Sequence, residues 1–215
     1  MKLKLPVSLI SLVIGLCTRL SAAEGGFLSA GYDTRFGDIY EIGFVGQSIM
    51  ASAGFGGALL GNTFKGAASQ SDSAFNLRYG SSAFPANVDT KTTTKAYQIS
   101  LAYFPKSNSS GTGGFYAGAG YTGINSTAES KFAVSAAGLP ANTAATGEYT
   151  VGMFDLFVGI ANFQSHGITF DLRGGYGVPS AESFEAKVGS TTFGKIDKPG
   201  LIDKAFFKLS IGYSW

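Results

Sequence analysis

From residue 168 to residue 178 the chain alternates strictly. Ile168, Phe170, Leu172, Tyr176 and Val178 fall on one side of an extended backbone, and Thr169, Asp171, Arg173, Gly175 and Gly177 on the other. A helix would scatter both sets around its circumference, so the two-residue period predicts a strand with one apolar face and one face of charge and glycine. Residues 205–215 repeat the pattern: Ala205, Phe207, Leu209, Ile211, Tyr213 and Trp215 oppose Phe206, Lys208, Ser210, Gly212 and Ser214. Any fold that accepts these stretches must give each strand an apolar and a polar environment at once.

The same period predicts strands over residues 27–36, 49–61, 72–80, 94–104, 114–124 and 149–162, which makes eight. Residues 37–47 mix Ile39, Ile42, Phe44 and Val45 with glycine in no single parity, and read equally as a strand or as a folded loop. Ten strands is the alternative total. Short connections are expected near 62–71, 105–113 and 163–167, and long ones near 37–47, 81–92, 125–147 and 179–204. The expected fold class is all-β, an antiparallel up-and-down barrel with short turns at one rim and long loops at the other.

Alternation alone does not say which face is inside. Strands of about ten residues rising ~3.3 Å each and tilted ~45° span roughly 23 Å, close to the apolar band of a membrane barrel. Phe36, Tyr97, Tyr103, Phe115, Tyr121, Tyr176, Tyr213 and Trp215 lie toward the ends of the apolar faces, where rings suit a membrane–water boundary. Only 14% of residues are charged, against about 25% in ordinary soluble domains. The expectation is therefore a transmembrane barrel with lipid outside.

Residues 1–23 read as a secretory signal: Lys2 and Lys4 precede an apolar centre, and Ser21, Ala22 and Ala23 supply small residues before Glu24. The barrel domain is then 24–215. Without Lys2, Lys4 and Arg19 the 16 basic residues become 13 against 14 acidic, a net charge of −1. This balance offers nothing to nucleic acid. The sole cysteine, Cys17, belongs to the signal, so neither disulfide nor thiol chemistry is expected of the barrel.

With the apolar face toward lipid, Asp33, Arg35, Arg78, Asp155, Asp171, Arg173 and Lys208 point into the lumen. Eight strands leave an interior that side chains fill. These seven residues are expected to form a charge network, with Asp155 and Asp171 as partners of Lys208. The catalytic alternatives are thin. Gly118 to Gly123 spell G-x-G-x-x-G inside a strand, without the helix N-terminus that would hold a pyrophosphate. His166 is the only histidine, and its neighbour Ser165 would point to the opposite face of a strand. Asp155 and Asp171 as an acid–base pair compete with Arg173 and Lys208 nearby. No cofactor, metal site or enzymatic activity is expected.

The terminal strand with its final aromatic resembles the closing strand of bacterial outer-membrane barrels. Over 24–215 the chain is similar in plan to the membrane domain of OmpA-type and opacity-type proteins. Tyr32-Asp-Thr-Arg-Phe36 also resembles a first-strand pattern in outer-membrane proteins of unassigned role. The resemblance implies a Gram-negative outer membrane, Tyr213 and Trp215 as part of the signal to the barrel-insertion machinery, lipid as the surrounding partner, and a monomer. It implies no catalytic residue. The leading functional expectation is a structural envelope protein with limited, porin-like solute passage. A surface adhesin or receptor acting through 125–147 and 179–204 is the alternative, and a lipid-modifying enzyme ranks below both.

Overall fold

The computed structural model describes residues 25–46, 48–57, 88–105, 112–132, 144–163, 166–188, 191–197, 200 and 202–215. Every regular element among them is a strand: β1 (Gly25–Asp33), β2 (Gly37–Val45), β3 (Ile49–Gly56), β4 (Val88–Tyr103), β5 (Thr112–Phe132), β6 (Ala144–Phe163), β7 (Gly167–Val188), β8 (Thr191–Asp197) and β9 (Ala205–Ser214). Strands β1 to β7 pair in sequence, β7 pairs with β9, and β9 returns to β1, all antiparallel. The result is a closed eight-stranded up-and-down barrel. Strand β8 lies outside the ring and pairs with the far end of β7. The seam runs from Phe27 opposite Ser214 to Asp33 opposite Lys208. Gly26 and Trp215 exchange backbone hydrogen bonds of 3.1 and 3.0 Å at its end.

The eight strands differ in part from the expected ones. Residues 37–45 form a full barrel strand, where the eight-strand reading made 37–47 an outer loop. The expected strand over 72–80, with Arg78, lies outside the described residues, as do the signal segment, the turn at 62–71 and most of 81–92. Gly37 accounts for part of the difference. Its φ of 89° lets the chain reverse within residues 34–36 and start β2 at once. A glycine that looked like a breaker is the exit from a tight turn.

The stretches expected as long loops are also largely strand. Strand β5 continues to Phe132, β6 begins at Ala144, and β7 runs to Val188 before β8 adds a further hairpin arm. Beyond the barrel proper, β4 to β8 form a wall on one side of the far rim. It rises roughly 25 Å along the strands beyond Asn125, for about eight residues at ~3.3 Å. Where β7 passes from barrel to wall, the register slips between Gly152 and Met153, opposite Ala181 and Pro179. Pro179 has no N–H to give the ladder, and the bulge accommodates it. The Ser180 hydroxyl donates instead to the Gly152 carbonyl at 3.0 Å.

Burial is inverted relative to a soluble barrel. Leu28, Ile42, Leu101, Phe115, Leu156, Val158, Ile168, Ile211 and Tyr213 are exposed on the outside, whereas Asp33, Arg35, Glu41, Asp155, Asp171, Arg173 and Lys208 are buried inside. Phe36 is a correction to the outer aromatic set: it sits in the β1–β2 turn, faces inward and is buried.

Candidate functional site in the lumen

The interior is layered. Near the rim that carries Gly26 and Trp215, Phe27, Val45, Met50, Phe104, Tyr116, Phe157 and Phe163 form one apolar cluster. Near the opposite rim Phe36, Ile39, Ile124, Tyr149, Val151, Met153 and Phe184 form another, with Ile202 packed against it. Between them lie the ionisable side chains.

Arg35 organises one half of this polar layer. The β1–β2 turn places its backbone N–H 2.9 Å from Asp33 Oδ1, and its guanidinium returns to the same carboxylate, Nε to Oδ1 at 3.0 Å and Nη2 to Oδ2 at 2.8 Å. Its Nη1 crosses the lumen to Asp155 Oδ1 on β6 at 2.8 Å. The plane stacks on Phe206, 3.8 Å from guanidinium carbon to ring centre. The planar fork thereby serves two carboxylates and a ring face together.

Arg173 and Lys208 organise the other half. Arg173 Nε donates to Asp171 Oδ2 at 3.0 Å, Nη1 donates to Ser100 Oγ at 3.3 Å, and Nη2 lies 4.0 Å from Glu41. The Tyr116 hydroxyl donates to Asp171. Lys208 forms an ion pair with Glu41 and donates to Gln98 Oε1 at 3.3 Å. Ser52 donates to Glu41 Oε1 at 3.2 Å and shares a 2.7 Å hydrogen bond with Ser100. Gln98 joins the halves, because its amide nitrogen donates at 3.1 Å to Thr122, whose hydroxyl donates to Asp155. One network thus runs from Asp33 to Asp171.

Six of the seven residues singled out from sequence lie in this layer, and Arg78 is outside the described residues. Lys208 does not take Asp155 or Asp171 as its hydrogen-bonding partner. Asp155 is held by Arg35 and Thr122, Asp171 by Arg173 and Tyr116, and Lys208 meets Glu41. The two aspartates therefore have separate partners rather than forming an acid–base pair. Sequence reasoning missed Glu41, Gln98, Tyr116 and Thr122. The parity of Ile39, Glu41 and Val45 was the available signal for Glu41, and the apolar residues on both faces of β2 concealed it.

Burying an ion costs several kcal/mol unless a partner and hydrogen bonds replace its water. Each of the seven charges of this network has both. Glycines make room for the bulky groups on neighbouring strands: a Cβ at Gly118 would lie 2.5 Å from the Phe157 ring, one at Gly159 2.5 Å from Tyr116, and one at Gly175 2.7 Å from Phe206. The G-x-G-x-x-G of β5 is this packing device, with Gly118 beneath Phe157. His166 is exposed at the β6–β7 turn, away from the network.

No family model matches the chain, and no curated protein matches it. Among solved structures it is similar to a major outer membrane protein from Thermus thermophilus, with 10% identity and a TM-score of 0.43, over 89% of this chain and 98% of that one.

Proposed function

We propose that the chain is an integral outer-membrane barrel with a sealed lumen, acting as a non-enzymatic structural element of the envelope. The observation that carries this reading is the inverted burial. An outer belt with Phe115 at 78% and Leu156 and Val158 at 65% exposure surrounds an interior where Lys208 and Asp33 are at 0%. In water that belt would greatly exceed the apolar patches soluble monomers tolerate. In a bilayer the closed ring satisfies every ladder and presents lipid with hydrocarbon. The rim with Gly26 and Trp215 then faces the periplasm, and the β4–β8 wall stands outside the cell.

The two apolar clusters favour structure over transport, because an ion must leave water to pass each of them. The test is refolding into phosphatidylcholine vesicles and planar bilayers. The folded protein should migrate differently on gels before and after boiling and should show no steady conductance. Identical mobility would overturn the membrane barrel, and sustained channels would overturn the sealed lumen. The wall favours a second reading, a receptor or adhesin. Loss of ligand binding on deletion of β8 and the adjoining arm of β7, with the gel shift retained, would support it.

A further inference from the structure

On β4, β5 and β6 the outward residues change from aromatic to polar over two rows of the ladder. Ile99, Tyr121 and Phe154 form a row, with the Tyr121 ring 5.3 Å from Phe154 and 6.3 Å from Tyr97. Two ladder rows above, Lys95, Asn125 and Thr150 stand side by side on the same face. Lys95 and Asn125 are exposed, and no side-chain bond within the described protein engages these three. The Tyr97 hydroxyl between the rows is buried beside Tyr121. Below the aromatic row, Ala119 lies between Leu101 and Leu156, and Ala117 between Tyr103 and Val158. Below Tyr121 strand β5 is thus a furrow between two ridges, and above Tyr121 the same face ends in one cation and two uncommitted polar groups.

We propose that this face binds one phosphate-bearing lipid, with an acyl chain along Ala117 and Ala119 and the anionic headgroup on Lys95, Asn125 and Thr150. The proposal rests on the membrane reading above. Continuity with the apolar belt selects lipid over a soluble anion, since the polar row begins where the hydrocarbon-facing surface ends. A single lysine near an anionic surface corresponds to a preference of roughly five-fold.

The test reconstitutes the full protein in phosphatidylcholine vesicles with a trace of spin-labelled phosphatidic acid or spin-labelled phosphatidylcholine, and reads the motionally restricted fraction of each. Phosphatidic acid should be preferred roughly five-fold at low salt, falling toward parity in K95Q. The change A119F should reduce restriction of both lipids by filling the furrow. The change K204Q, at an exposed lysine beside β9, should leave the preference intact. A protein that inserts with equal association for the two lipids, or whose preference survives K95Q, overturns this inference alone. A protein that does not float with vesicles of either kind overturns it together with the membrane reading.

Discussion

Lys208 on the last strand forms its ion pair with Glu41 on the second, passing over β1, which lies between them. The seam between β1 and β9 is therefore held from within as well as along its backbone ladder. Removing Glu41 leaves Lys208 enclosed without its ion-pair partner, and removing Lys208 leaves Glu41 with only Arg173 as counter-ion among the described residues, at 4.0 Å. E41Q and K208M should each destabilise the barrel by about 3–5 kcal/mol, and the double mutant by clearly less than the sum. Urea unfolding in lipid, followed by the gel shift, measures both; additive losses would show that the pair is not coupled.

Arg35 supports more than charge. In R35K an ammonium replaces the fork that holds Asp33 and Asp155 and the plane that stacks on Phe206. Lysine should therefore fail to restore most of the stability lost in R35Q, itself about 3–5 kcal/mol. Full recovery by lysine would reduce the residue to a point charge.

The outer sockets make a separate prediction. A Cβ at Gly123 would overlap the Tyr97 ring, with no backbone atom among its nearest neighbours. G123A should cost about 1–3 kcal/mol through overpacking. Most of that cost should vanish in the Y97A background, measured as a double-mutant cycle.

In the wall, Glu148 on β6 faces Glu185 on β7 directly. Lys187 lies 3.6 Å from the first and 3.4 Å from the second. Like charges across a strand pair repel, so K187M should loosen the wall locally by roughly 0.5–1 kcal/mol without altering unfolding of the barrel. Limited proteolysis of the wall should accelerate while the boiled-versus-unboiled shift stays unchanged.

Sequence made β7 and β9 legible because each keeps hydrocarbon on one side and mostly charge, hydroxyl or glycine on the other through the width of the barrel. It failed at β2, where inward Ile39 joins one apolar cluster and inward Val45 the other. Apolar residues then occupy both faces near both ends, and the period disappears. It failed again above Asn125, where the outward face turns polar and loses the contrast on which alternation depends. The lumen charges were legible by parity, but their pairing was not. Whether Lys208 meets Glu41 or Asp171 is decided by how the tilted strands register around the ring, which no single strand encodes.

Because the described wall rises from β4 to β8 while β1 turns back after only residues 34–36, the described rim is uneven when viewed down the barrel axis. Among the described residues the β1–β2 side presents a low sill and the β5–β6 side a parapet. If the barrel sits in a membrane as proposed, its neighbours would meet different described surfaces depending on the compass bearing of their approach.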